Sequence, residues 1–275
     1  MSFPGSILLT QGDQYVQTSD KRHPLGTRGY TRDGRVFRYS RAGATALTVG
    51  KLMQSAVAHA DFKQDKDPAT STAPSTGSRT VTVQYSATAT TIAANYFADG
   101  YLYVDDGTGE GQLVQLSGNS VPDCTTANTS GNIDVYLRED QYFTVAPTTA
   151  CEISLTKNKY DYLVIRPAAH ASRTGVPTGV TPRAVTELYY FWLQTWGPCP
   201  CITSGTVIIG NPVCDSSCTL GETSATAGAV HAGDTSTTAL TTTPGLSLGV
   251  GFKIGNVMQV GAAGEYSLID LCLAP

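Results

Sequence analysis

Strict alternation of apolar and polar residues recurs along this chain, and it restricts the backbone to β structure more firmly than any other feature. In "TVTVQYS" (80–86), Val81, Val83 and Tyr85 fall on one face of a period-two ladder, the spacing of a half-buried strand. "GYLYVDDGTGEGQLVQLSG" (100–118) holds two such runs around a glycine-rich turn and predicts a hairpin. Further candidate strands are 132–137, 151–156, 161–166, 187–196, 205–210 and 265–273, with Pro and Gly between them. Helical periodicity is poor. The best helix candidate, 46–62, is interrupted by Gly50 and weakened by Thr48 and Val49. The expected fold is mainly β, with one or two antiparallel sandwich or barrel-like domains, little helix and an extended N-terminal arm.

The arm is expected because of its charge. Between residues 23 and 43, Arg28, Arg32, Arg35, Arg38 and Arg41 alternate with Tyr30, Phe37 and Tyr39. Residues 1–66 hold ten Lys or Arg against five Asp or Glu, and the remainder holds eight against seventeen, within a net charge of −4. A chain divided in this way can steer its basic part onto an acidic neighbour, including another copy of itself. The same residues could contact phosphates and stack on bases, but the acidic remainder would repel a polyanion, so nucleic acid is the weaker expectation. The blander reading is that long cationic side chains cover apolar neighbours while their heads stay wet.

The predicted organisation is a basic arm over 1–66, a Pro/Ser/Thr-rich linker over 67–80, a β-domain over 81–183 and a C-terminal β-domain over 184–275. The Thr-rich stretch 233–245 reads as a long loop in the last of these. No apolar run reaches the ~18 residues of a membrane span, and the opening residues lack the basic and apolar regions of a secretory signal.

Chemistry-bearing residues are scattered. His23, His59, His170 and His231 lie far apart, and none sits in a motif pairing a base with a nucleophile, so neither an enzyme nor a cofactor is expected. The glycine sets 107–111 and 245–251 miss phosphate-binding spacings and read as turns. Asp105, Asp106 and Glu110 could ligate calcium, but the ordered spacing of a calcium loop is missing and an acidic hairpin tip is the better reading. Cys199, Cys201, Cys214 and Cys218 supply four thiols that would suit tetrahedral zinc or a disulfide, while Cys124 could pair with Cys151. Cys272 reads as a small buried strand residue.

The phrases "LGTRGYTRDGRVFRYSRAGATAL" (25–47), "FADGYLYVDDGTGEGQ" (97–112), "FWLQTWGPCPCITSGTVIIGNPV" (191–213) and "GEYSLIDLCL" (264–273) resemble, in the same order, those of a family of structural proteins of tailed bacteriophages. The C-terminal part is also similar in layout to the small β-domains of head decoration, or cement, proteins. The resemblance implies a non-enzymatic virion protein on the outer capsid surface that stabilises the head lattice. Its partners would be the major capsid protein and further copies of itself, a trimer by analogy with local threefold axes, with no membrane partner. Under that reading Arg28, Arg32, Arg35, Arg38, Arg41, Tyr30, Phe37 and Tyr39 form the partner-binding set. A tail fibre or receptor-binding protein, and a self-assembling filament or sheath subunit, remain the alternatives.

Overall fold

The computed structural model describes residues 5–63, 69–70, 73–86, 92–122, 130–168, 173–215, 226–232, 252–262 and 264–275. The chain forms two compact units: a host unit from residues 1–56 together with 159–275, and an inserted unit from 57–158. The host opens with β1 (Ile7–Leu8), β2 (Gln17–Thr18), β3 (Arg28–Tyr30), β4 (Val36–Arg41) and β5 (Leu52–Gln54). The inserted unit supplies β6 (Ala69–Thr70), β7 (Thr80–Ser86), β8 (Tyr101–Asp106), β9 (Leu113–Asn119), β10 (Ser130–Leu137) and β11 (Glu152–Thr156). The host resumes with β12 (Val164–Ile165), β13 (Pro177–Val180), β14 (Tyr190–Ser204), β15 (Pro212–Asp215), β16 (Val230–Ala232), β17 (Lys253–Gln259) and β18 (Tyr266–Cys272). Two short 3-10 turns, Asp13–Tyr15 and Ala60–Phe62, are the helical elements among the described residues. The protein is mainly β, as the alternation predicts.

The inserted unit closes into a barrel in the order β10-β7-β6-β11-β8-β9, with β9 paired back onto β10. Closure removes the open edges that would otherwise template aggregation. Its core collects the inward positions of each alternating run: Val81, Val83 and Tyr85; Leu102 and Val104; Val114 and Leu116; Ile133 and Val135; Ile153 and Leu155. Each aliphatic side chain so buried contributes about 1.5–3 kcal/mol. The β8–β9 hairpin pairs Leu102 with Val114, and its turn uses Gly107, Gly109 and Gly111, all at positive φ.

In the host unit one long strand serves two sheets. The first half of β14 pairs with β4, and its second half, Trp196–Ile202, pairs with β18. A bulge between Gln194 and Trp196, followed by Gly197 at φ +80, marks the change of partner. Beyond it, β14, β16, β15, β17 and β18 close a five-stranded ring around Cys199, Cys201, Val213, Val230, Ile254 and Ile269. Before it, β1-β3-β4-β14 forms an open sheet whose core is Leu9, Leu25, Phe37, Tyr39 and Trp192. Gly29 in β3 lies beneath that core, and a Cβ there would stand 2.8 Å from the Trp192 ring, which explains a glycine inside a strand.

Several expectations are corrected. Residues 1–66 are not an extended arm, because β1 to β5 belong to the host sheet and Phe37 and Tyr39 are core residues. The predicted linker and the boundary at 183/184 give way to crossings after Ala56 and before Lys159. The 46–62 segment is not a helix: Gly50 sits at φ +68, and Leu52–Gln54, all buried, pair with β12 and β13. Only Val164–Ile165 of 161–166 is strand, and 205–210 is a turn exposing Ile208 and Ile209. Residues 233–245 lie outside the described residues.

Candidate interaction site

Most of the predicted binding arginines are engaged within the host unit. Arg28 and Arg38 face each other directly across β3 and β4. Like charges so placed repel, and each is drawn aside by its own partners. Arg28 donates to Ser6 Oγ at 2.9 Å and lies over the Tyr30 ring, while Arg38 donates to the carbonyls of Gly26 (3.3 Å) and Pro275 (2.7 Å). Arg35 pairs with Asp33 at 2.8 Å and covers Phe37. Arg41 approaches Asp161 at 3.8 Å and covers Tyr190. Exposed Tyr30 and Arg32 are left facing outward, and Arg32 makes no hydrogen bond or ion pair among the described residues.

Those two residues lie at the open side of the sheet. Strand β1 pairs with β3 alone, so its outer edge has no strand beside it among the described residues. Around that edge stand Leu8, Tyr15, Val16 and Tyr30, exposed to 42%, 46%, 46% and 37%. A groove of about 820 Å³ runs between the 8–15 segment and the β3–β4 turn, with Leu8, Tyr15, Arg32 and Arg35 on its walls. The segment is held in place: Arg183 donates to the Tyr15 carbonyl, and Thr186 N donates to Gln17 Oε1 at 2.9 Å. Asp13 accepts from the Thr10 amide (2.8 Å) and hydroxyl (2.6 Å), and these bonds hold its carboxyl below the usual carboxylate range.

Leu8 and Leu9 also line a smaller cavity of about 230 Å³, together with Asp13, Val16, Thr18, Arg22, His23 and the rings of Tyr39, Tyr190 and Trp192. Tyr39 and Tyr190 stack at 5.9 Å with their planes 7° apart, and His23 meets Tyr39 edge-on at 5.1 Å. Burial, reinforced by the Arg22 charge, lowers the His23 pKa below its ordinary value and favours the neutral imidazole. Sequence reasoning treated "LYYFW" only as strand and His23 only as an isolated histidine. The signal available was two aromatic runs, Phe37/Tyr39 and Tyr190/Trp192, each with period two; what was missing was the pairing that superimposes them.

The other candidate sites are reassigned. Cys199 and Cys201 share the inner face of β14 as free, buried thiols, and Cys201 is held far above its ordinary pKa by its hydrogen bond to Cys199 and by burial. Cys214 is disulfide-bonded, which breaks the zinc set, and Cys218 lies outside the described residues. Cys151 is free and buried and donates to Thr108 O, so it does not pair with Cys124; Cys272 is free and half-buried. Asp105 accepts from Ser154 Oγ at 2.6 Å and does not join Asp106 and Glu110 in a calcium loop. Among the described residues no group of three or more His, Cys, Asp or Glu side chains could hold a metal ion. His170 lies outside the described residues.

The chain matches no family model, no curated protein and no solved structure.

Proposed function

We propose that this protein is a bacteriophage virion structural component of the capsid decoration type, which binds the head lattice through the open β1–β3 edge of its host unit. The observation that carries the proposal is the exposed set Leu8, Tyr15, Val16 and Tyr30 around Arg32, beside a groove of about 820 Å³. Tyr and Arg are the residue types enriched where proteins meet, and an unpaired strand edge offers main-chain groups to an incoming segment. The phage-like phrases and the all-β construction, suited to life outside a cell, support the same reading. The binding element is then a folded sheet edge carrying Tyr30 and Arg32. Arg28, Arg38 and Arg41 shape the host, Arg35 forms part of the groove wall while paired with Asp33, and Phe37 and Tyr39 support the edge from within.

The test is co-sedimentation with purified heads of the phage that encodes the chain. The double variant Tyr30→Ala/Arg32→Glu changes only exposed side chains, so it keeps its circular dichroism and melting temperature. Its affinity for heads falls at least tenfold, equivalent to about 1.4 kcal/mol. Unchanged occupancy would remove the edge from the interface, and failure of the unmodified protein to bind heads would remove the decoration reading.

A further inference from the structure

We infer that the cavity beside Trp192 is a binding site for a single uncharged sugar ring, presented as the free saccharide or as one residue of a glycan. The inference rests on other groups than lattice binding: the cavity shares Leu8, Leu9 and Val16 with the edge assigned to the lattice, but Arg22, His23, Tyr190 and Trp192 line the cavity and not the groove.

Three properties of the cavity converge. Its floor is aromatic, formed by Tyr39, Tyr190 and Trp192, and the C–H face of a pyranose is the apolar surface that packs on such rings. Its hydrogen-bonding groups are unspent: the side chains of Arg22, His23, Tyr190 and Trp192 make no hydrogen bond among the described residues, and Asp13 uses only Oδ2 internally. Its size, about 230 Å³, is below the ~300 Å³ at which drug-sized pockets begin, which suits one ring.

The mixture of charges selects the chemistry. Asp13 would repel a phosphate or carboxylate, and Arg22 would repel an amine. Hydroxyl groups donate to the first and accept from the second, so a neutral polyol satisfies both. A flat nucleobase is served less well, because Tyr39 and Tyr190 stack on each other and leave no slot between them.

The experiment uses the full chain. Trp192 and Trp196 are its two tryptophans, so intrinsic fluorescence reports on the cavity. Glucose, galactose, mannose and N-acetylglucosamine are titrated singly, and a glycan array samples the same sugars in chains. At least one sugar gives a saturable change, with Kd on the order of 1 mM. Arg22→Ala and Tyr190→Phe, one exposed and one nearly isosteric, each weaken that binding at least threefold while head occupancy is unchanged. The change disappears in Trp192→Phe and survives in Trp196→Phe. Silence in both the titration and the array overturns the inference, as does sugar binding indifferent to Arg22→Ala and Tyr190→Phe, or tighter binding of phosphate or an amine in the same cavity.

Discussion

His59 is a histidine held neutral by its surroundings. Burial lowers its pKa below 6.5, Asp61 opposes that shift and Lys157 adds to it. Its Nδ1 accepts the Asp61 amide hydrogen at 3.3 Å, capping the 3-10 turn that delivers Phe62 to the barrel core, and protonation of Nδ1 would end that bond. The unfolded chain takes up the proton first as pH falls through 6.5, so this residue's contribution to stability is lost between that value and its lower folded pKa. Melting curves at about pH 7.5 and 5 should therefore show a larger drop in stability for the native protein than for His59→Asn. An equal drop in both would show that His59 does not titrate between the two conditions. Individual residues were the hardest level to read from sequence. The Arg–aromatic alternation of 35–41 was visible, yet the same period-two pattern serves a solvated arm and a buried strand, and only the match of Tyr39 to Trp192 across β14 decides between them.

Among elements, the sites where strands meet carry the strongest single dependence. Asp215, 2% exposed at the end of β15, receives Arg166 Nε at 2.7 Å and Nη2 at 2.6 Å, with Arg173 Nη1 at 3.0 Å. Arg166 also donates to Gln54 Oε1 of β5 at 3.2 Å, so one carboxylate ties β5 and the 166–175 segment to the ring. Removing it leaves two guanidinium groups facing each other in a buried space, and Asp215→Ala should cost about 3–5 kcal/mol in denaturant unfolding. A loss under 1 kcal/mol would mean that water reaches the arginines. The legible elements were those whose partners lie nearby in sequence. The β8–β9 hairpin was readable because its turn fixes its register, whereas β5 and β12, three and two residues long, gain their identity from strands more than a hundred residues away. Ile208 and Ile209 misled for a related reason: an apolar pair in a turn looks like the middle of a strand until its exposure is known.

For the whole molecule, composition pointed to two parts but located them wrongly. The charge division is real under the correct partition: the host holds thirteen Lys or Arg against ten Asp or Glu, and the inserted unit holds five against twelve. An insertion leaves no local trace, because its signature is a contact such as Gln54 with Val164, which brings the chain together on either side of the excursion. The inserted barrel has its own core and a closed strand order, so residues 57–158 expressed alone should melt cooperatively. The host should also retain its fold when they are replaced by a short Gly/Ser linker, with Trp192 emission unchanged. Loss of structure in either piece would make the two interdependent.

The nesting also imposes an order on synthesis. When the ribosome has delivered β4, its partner β14 is still some hundred and fifty residues from being made, and the aromatic face of Phe37 and Tyr39 lacks Trp192 to pack on. The inserted barrel, complete in sequence by residue 158, can finish during that delay. The part of the protein begun first is thus completed last. Any chaperone that attends the nascent chain has its strongest claim on the opening residues, and a stalled or truncated product would display a closed acidic barrel together with an arginine-studded strand whose β14 side is uncovered.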